Sequence, residues 1–176
     1  MTFEPTPLDG AYVIEPQHFR DERGFFAYTF DLKQFDAAGL HGGIVQSNIS
    51  FNHARGTLRG MHYQSDPVPQ PKLVRCTSGS IYDVIVDLRP ASPTHKHWFG
   101  VELSAANHLA LYIPAGFAHG FQTFTDDAEV LYEMFAPFAP ETARGVRYDD
   151  PAFGIRWPLA VTVVSERDRK YPDYKG

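Results

Sequence analysis

The sequence predicts an all-β protein, an antiparallel β-sandwich or barrel with a few short helices at its rim. Three features predict this class. Short runs rich in β-branched and aromatic residues follow one another, 14 Gly and 14 Pro recur between the runs within 176 residues, and helix signals are sparse. Because the turn residues are spread along the chain, each run can fold back on its neighbour.

Ten runs are predicted as strands because they combine β-branched and aromatic residues with flanking Gly, Pro, Asn or Asp. They are Ala11 to Ile14, Gly24 to Phe30, Ile44 to Phe51, Leu58 to Gln64, Lys72 to Ser78, Ser80 to Leu88, Trp98 to Leu103, Leu109 to Ile113, Gly120 to Phe124 and Ala128 to Phe135.

Two short helices are predicted at the rim. The first covers Asp31 to Ala38, because Asp31 can cap it and Gly39 follows as a stop signal. The second begins at Ser165, whose hydroxyl stands three residues before the carboxylate of Asp168, as in a capping box.

Length and composition bound the function. A chain of 176 residues is expected to form one domain, residues 1–176. Sixteen Lys and Arg against 21 Asp and Glu lack the basic surface that nucleic-acid binding needs. The lone cysteine, Cys76, cannot form an intramolecular disulfide, and no stretch approaches the roughly 18 apolar residues of a membrane span. We therefore expect a soluble cytoplasmic protein that binds neither nucleic acid nor membrane.

Two of the eight histidines are candidates for chemistry. His62 lies inside a predicted strand, where a histidine is costly unless it is paired or functional. His119 lies in PAGFAHGF, a turn that leads into an apolar strand. The other six are expected at the surface or on a solvated edge: His18, His41, His53, His108 and the H-x-H pair His95 and His97.

Three further polar side chains interrupt apolar strands. Tyr132 alternates with Val130 and Met134, so its ring is expected to be buried with its hydroxyl paired. Lys72 and Arg59 are cations at positions where an anionic ligand, a carboxylate partner or surface snorkelling can explain them.

Several motifs carry a resemblance to a known family. QSNIS, GTLRGMHYQ, PKLVRC, IYDVIVDLR, IPAGFAHGF, VLY and SERD follow one another in this order, and FRDERGFF precedes them. Together they resemble the dTDP-4-dehydrorhamnose 3,5-epimerases, cupin-fold enzymes that act on sugar nucleotides. The resemblance covers about Val13 to Asp168, nearly the whole chain.

The resemblance implies a homodimeric cupin jelly roll that binds a nucleoside-diphospho-4-keto-6-deoxyhexose and needs no metal or organic cofactor. It implies that His62 is the base and Asp168 its partner, that Lys72 stabilises an enolate, and that Tyr132 is the acid on the opposite side of the sugar. The single histidine in RGMHYQ also speaks against a metal, because metal-binding cupins generally carry an H-x-H there.

Substrate-binding roles are also implied by the resemblance, for Arg59, His119, Arg23, Gln46, Asn48, Phe19 and Phe26. The role implied for Arg59 sets a condition on the shape of its strand. Arg59 and His62 are three residues apart, so a regular strand would point them to opposite faces. Both can serve one cavity only if Gly60 bends the strand.

Two departures from the family pattern leave alternatives open. Tyr28 stands where the family commonly has a glutamate. After Tyr132 the family often has a lysine and later a pair of aromatic residues, whereas this chain reads EMFAPF, with Glu133, Pro137 and Phe138. The alternatives are a mono-epimerase at C3 or C5, an enzyme for another nucleotide sugar, and a non-catalytic sugar-nucleotide binding module. A metal-dependent cupin oxidoreductase using His95, His97 and His119 is a further one.

Overall fold

The computed structural model describes residues 1–40 and 42–176, so His41 lies outside the described residues. The predicted all-β class is confirmed: two twisted sheets face each other, and the helices are short. The strands are β1 (Thr2–Pro5), β2 (Tyr12–Glu15), β3 (Phe19–Asp21), β4 (Gly24–Phe26), β5 (Gln46–Asn52), β6 (Thr57–Gln64), β7 (Lys72–Ser78), β8 (Ser80–Asp87), β9 (Trp98–Ser104), β10 (Ala110–Ile113), β11 (Phe117–Thr123), β12 (Ala128–Met134), β13 (Ala143–Gly145) and β14 (Val163–Val164).

The first sheet has the order β1-β2-β10-β7-β12-β5, and the second has β13-β6-β11-β8-β9 with β14 beside β6. Every pairing is antiparallel except that of β14 with β6. Neighbours in each sheet are mostly distant in sequence, as in a jelly roll. Strands β3 and β4 form a separate hairpin whose six residues are all exposed.

The main core lies between the two sheets. Val74 and Leu111 from the first sheet pack with Ile85, Phe117 and Phe121 from the second, and all five are buried. Burying this apolar surface supplies the main driving force for holding the sheets together. The centre of the sandwich is therefore an apolar core shared by the two sheets.

The outer faces of both sheets are partly covered. Helix α1 (Leu32–Ala37) packs Phe35 against Leu73 and Tyr112 of the first sheet, and Asp31 caps it by accepting from the Gln34 amide at 3.1 Å. The second sheet is covered by Val146 and Phe153 from the C-terminal segment, which also contains α2 (Glu166–Arg169).

Both predicted helices are confirmed within a residue or two of their observed bounds. They have six and four residues, and no described helix is long and apolar enough to cross a membrane. Strand β7 matches its predicted run residue for residue, whereas β11 begins three residues early, at Phe117. The predicted run Gly24 to Phe30 was too long, because only Gly24–Phe26 pairs. Strands β1, β3, β13 and β14 were missed.

Candidate active site

A cavity of about 580 Å³ lies between strands of the two sheets. Strands β5, β7 and β12 of the first sheet place Asn48, Lys72 and Tyr132 in its wall. Strand β6 of the second sheet adds Arg59 and His62, strand β11 adds His119, and α2 adds Asp168. All four side chains predicted to be catalytic therefore face one space.

His62 and Asp168 form a close pair. Asp168 Oδ1 lies 2.7 Å from His62 Nε2, and Asp168 Oδ2 accepts from the Gly60 amide at 3.2 Å. The Asp168 amide also donates to the Ser165 hydroxyl at 3.1 Å, so the capping role and the pairing role coexist. A carboxylate that accepts from Nε2–H leaves the imidazole lone pair on Nδ1, where it can take a proton.

The bonds to Asp168 keep it ionised. Burial of this carboxyl acts to raise its pKa, but the hydrogen bond and charge of His62 and the bonds from Gly60 and Ser165 outweigh it and lower the pKa below its usual value. An ionised partner stabilises the imidazolium that forms when His62 accepts a proton.

Strand β6 is bent at Gly60, which is the condition that the sequence set for Arg59 and His62 to share one cavity. The register with β11 shifts between the pairs His119–His62 and Phe121–Arg59, and Gly60 has a φ of +123°. A Cβ at Gly60 would lie 2.5 Å from the Gly120 Cα and 2.8 Å from the His119 carbonyl oxygen. Only glycine fits, and the bend lets Arg59 and His62 line the same cavity.

Arg59 is held by a buried amide. Its Nε donates to Asn52 Oδ1 at 2.7 Å, and Asn52 Nδ2 donates to the Ala128 carbonyl at 3.0 Å. Arg59 Nη2 also donates to the Phe51 carbonyl at 3.3 Å, and the remaining terminal N–H groups are available for an anionic ligand.

A second histidine–carboxylate pair lies deeper in the cavity wall. His119 Nε2 lies 2.9 and 3.1 Å from the two carboxylate oxygens of Asp83, and both residues are buried. Burial lowers the pKa of His119, although the Asp83 charge acts in the opposite direction. Sequence reasoning missed Asp83; a carboxylate inside the apolar run IYDVIVD was the available signal.

The two remaining predicted catalytic groups have displaced pKa values. Burial lowers the pKa of Lys72 to about 8, while the charge of Asp83 acts to raise it. Burial and the Asp83 charge raise the pKa of Tyr132, with Arg59 and a hydrogen bond to Ser50 acting against them. At neutral pH Lys72 is therefore mostly cationic, and Tyr132 is a protonated donor.

The residues predicted to bind substrate divide into two groups. Arg59, His119 and Asn48 line the cavity, and Gln46 stands behind Asn48, whose Oδ1 accepts from Gln46 Nε2 at 2.9 Å. The other three, Arg23, Phe19 and Phe26, lie on the exposed β3–β4 hairpin and do not line this cavity.

Two further cavity residues were not singled out as ligands in the sequence. Arg167 precedes Asp168 on α2 and forms no ion pair within residues 1–40 and 42–176. Phe138 lies in the wall with 57% of its surface exposed, and its amide donates to Gln46 Oε1 at 3.3 Å. Arg167 was hidden within a helix-capping motif, where a charged residue usually faces solvent.

The histidines that could have formed a metal site do not come together. Among the described residues, no group of three His, Cys, Asp or Glu side chains is placed to hold a metal ion. His119 is paired with Asp83, and His95 Nε2 lies 3.5 Å from the Tyr174 hydroxyl.

A jelly-roll sandwich that holds a paired histidine and a half-buried phenol in one cavity defines an acid–base enzyme of the cupin class. The family model described as dTDP-4-dehydrorhamnose 3,5-epimerase matches residues 5–176. The chain belongs to this family of isomerases.

Individual relatives agree with the family match. A dTDP-4-dehydrorhamnose 3,5-epimerase of Sinorhizobium fredii is 44% identical over 98% of this chain and 89% of its own length. The crystal structure of an epimerase of the same name from Elizabethkingia anophelis has a TM-score of 0.96 and 40% identity, covering 99% of this chain and 96% of its own.

Two solved structures carry sugar nucleotides. The Legionella pneumophila epimerase in complex with dTDP-4-keto-L-rhamnose has a TM-score of 0.89 and 37% identity, covering 99% of both chains. A 3'-monoepimerase from Streptomyces bikiniensis in complex with dTDP-quinovose has a TM-score of 0.88 and 36% identity, covering 96% of this chain and 86% of its own. The fold is therefore used for both double and single epimerisation.

Proposed function

We propose that the protein epimerises a dTDP-4-keto-6-deoxyhexose at C3 and C5 for deoxysugar biosynthesis. The observation that carries the proposal is the placement of the His62–Asp168 pair and Tyr132 on opposite sheets of the sandwich, facing one cavity. Inverting a carbon centre requires a base on one side of the sugar and an acid on the other.

The reaction balances with these groups alone. His62 Nδ1 takes the proton from a carbon next to the C4 ketone, and the C–H electron pair moves onto the ketone oxygen as an enolate. Tyr132 then donates its phenolic proton to the opposite face of that carbon, and the ketone re-forms. Exchange with solvent removes the proton from His62 and returns one to the Tyr132 phenolate.

The enolate requires positive charge nearby, and Lys72 provides it. Its ammonium group is buried, so its interaction with the enolate oxygen is weakly screened. His119 has a different role because its Nε2–H is used by Asp83. The free Nδ1 lone pair can accept a hydrogen bond from a sugar hydroxyl.

We propose that the diphosphate of the substrate binds two arginine side chains that line the cavity. Arg59 and Arg167 both line the cavity, and neither forms an ion pair in the part of the chain that the structure describes. Guanidinium groups suit phosphate oxygens because they donate two parallel hydrogen bonds. Phe138, exposed in the wall, offers a ring for stacking on sugar or base.

We propose a homodimer in which the hairpin of one subunit serves the cavity of the other. Phe19 and Phe26 have 47% and 61% of their surface exposed, and Arg23 pairs only with Asp21 among the described residues. The edge strand β5 also exposes Ile49 and Phe51 on its outer face. Such apolar exposure is typical of a surface that meets a second copy.

A mixed-dimer experiment tests this arrangement. A subunit carrying Arg23→Ala is combined with one carrying His62→Ala, each inactive by itself. If the hairpin acts across the interface, mixing restores about one intact site per heterodimer, whereas a monomer in light scattering contradicts the proposal.

Incubation of the protein with dTDP-4-keto-6-deoxyglucose in deuterated buffer tests the activity. The proposal predicts deuterium at C3 and C5 of the product, detected by proton NMR. Absence of exchange at both carbons, with tight nucleotide binding retained, would instead establish a binding module.

Mono-epimerisation is the second candidate, because a protein of the same fold is named for this activity. The Streptomyces bikiniensis 3'-monoepimerase shares the fold at a TM-score of 0.88. Met134 and Phe138 belong to the segment EMFAPF, which departs from the family pattern, and both line the cavity, where they can change how the sugar ring is held. Deuterium confined to one carbon in the same experiment would identify this activity.

We further propose that residues 1–176 act as one domain in the cytoplasm without added cofactor. A buried Cys76, whose pKa is raised to about 11 by burial, is an unreactive thiol compatible with a reducing compartment. Activity that survives dialysis against a chelator would support cofactor independence, and activity restored only by a metal would contradict it.

A further inference from the structure

Arg167 lines the cavity from a short exposed helix, where a long side chain ordinarily samples many rotamers. We propose that Tyr171 is a positioning residue that, seated on Gly145, holds the guanidinium of Arg167 at the cavity for the diphosphate. This inference rests on the proposed function, because it takes the ligand of Arg167 to be the diphosphate of a sugar nucleotide.

Tyr171 contacts Arg167 in two ways. Arg167 Nε donates to the Tyr171 hydroxyl at 2.8 Å, and the guanidinium carbon lies 5.9 Å from the centroid of the ring. A neutral hydroxyl acceptor orients the guanidinium and leaves its charge uncompensated, unlike a carboxylate partner. The terminal amino groups remain available for phosphate oxygens.

The ring of Tyr171 is itself fixed by β13. A Cβ at Gly145 would lie 2.2 Å from the Tyr171 Cζ and 2.3 Å from its Cε2, so the ring lies directly against the glycine backbone. Gly145 is not among the residues with positive φ, which means that space and not backbone conformation demands the glycine here.

The contact between Tyr171 and Gly145 also brings Arg167 into a fixed relation with His62. Gly145 is the Cα partner of His62 in the pairing of β13 with β6, and the rings of His62 and Tyr171 lie 6.3 Å apart. Through its contact with Gly145, Tyr171 therefore fixes the position of Arg167 relative to β6, the strand that carries His62. Tyr171 does not line the cavity, so it acts on the ligand through Arg167.

Pre-ordering a cation lowers the entropic cost of binding. Tyr171→Phe removes the hydroxyl acceptor, and we expect roughly a three- to tenfold rise in KM and in the dissociation constant of dTDP, with less than a twofold change in kcat. Gly145→Ala displaces the ring and should raise both constants at least as much. Calorimetry with dTDP and steady-state kinetics measure these effects.

Tyr174→Phe is the matched control. Tyr174 belongs to the same C-terminal segment, and its hydroxyl lies 3.5 Å from His95, away from Arg167. This variant should bind dTDP as the parent protein does. An equal loss of affinity in Tyr174→Phe would attribute the effect to the C-terminal segment in general and overturn the proposal.

A double-mutant cycle shows whether Tyr171 acts through Arg167. In an Arg167→Gln background, Tyr171→Phe should cause no further rise in the dissociation constant of dTDP. A full additional rise, or no change from Tyr171→Phe alone, overturns the proposal. If Tyr171→Phe fails to fold, Arg167→Lys replaces it, because lysine keeps the charge but lacks the Nε donor; unchanged dTDP affinity then overturns the proposal.

Failure of the proposed epimerase function can be distinguished from failure of the proposed role of Tyr171. The Arg167 Nε–H resonance, assigned by its loss in Arg167→Gln, reports the bond to Tyr171 by NMR without any ligand. A protein that shows this bond and binds dTDP but exchanges no deuterium into the sugar would contradict epimerisation while supporting the role of Tyr171.

Discussion

Asp83 lies between two groups that face the substrate cavity: its carboxylate accepts from His119 at 2.9 Å and its charge acts on Lys72. The residue is fully buried on β8. A single carboxylate thus fixes the tautomer of His119 and supports the protonated form of Lys72 in a site where burial opposes it.

Asp83→Asn should therefore weaken catalysis more than folding. Without the negative charge, the pKa of Lys72 falls further, so less of the ammonium form is present at neutral pH. We expect kcat to fall by roughly 10- to 100-fold, as for loss of an electrostatic contributor to an oxyanion site. Asp87→Asn is the control, because Asp87 is equally buried on the same strand but pairs with Arg89. That variant should lose stability, and equal losses of kcat in both variants would contradict the role of Asp83.

Asp168→Asn tests the base. An asparagine keeps the shape of the side chain but cannot stabilise the imidazolium of His62, so kcat should fall by about 10²- to 10⁴-fold. Single-turnover deuterium exchange at C3 and C5 measures the loss directly. Asp150→Asn provides a buried carboxylate from the C-terminal segment for comparison. Exchange at the parental rate in Asp168→Asn is incompatible with the proposed base.

Tyr132→Phe should separate the two halves of the reaction. His62 can still remove a proton, exchange it with solvent and return it to the same face of the sugar. The expected product is therefore deuterated starting material with little inversion, distinguished by NMR coupling constants. Tyr112→Phe, which changes a buried tyrosine on another strand of the first sheet, should invert normally. Continued inversion in Tyr132→Phe would assign the acid to another group.

The pH dependence of activity should reflect Lys72, whose pKa is lowered to about 8. Below this pH the side chain carries the charge that stabilises the enolate, and above it the charge is lost. We expect kcat/KM to fall as pH rises through about 8, by up to about tenfold per pH unit. Lys72→Arg keeps a charge over this range, so its residual activity should lack the decline at pH 8. The same decline in both proteins would assign it to another group.

The parts of the fold and site that sequence reasoning could predict are those fixed by local pattern. Strand β7 follows from its apolar run, and the bend at Gly60 follows from the two-residue period of a strand once the family resemblance assigns Arg59 and His62 to one site. Asp168 was paired with His62 by resemblance alone, because 106 residues separate them and spacing carries no such information. Asp83 and Arg167 were missed because their partners are brought to them only by the fold. Asp83 on β8 pairs with His119 on β11, and Arg167 pairs with Tyr171 in the segment after α2.

Gly60→Ala tests whether the bend in β6 builds the site. The added Cβ would meet the Gly120 Cα at 2.5 Å, and alanine would have to adopt a φ of +123°. We expect a loss of roughly 2–5 kcal/mol in the free energy of unfolding, from steric overlap and backbone strain together. Gly154→Ala is a control for a positive φ without steric overlap, because Gly154 has a φ of +61° and nothing lies within 4 Å of the added carbon. That control should lose only about 1 kcal/mol. Chemical denaturation measures both losses, and a Gly60→Ala protein as stable as Gly154→Ala would show that β6 can straighten and that Arg59 need not share the cavity with His62.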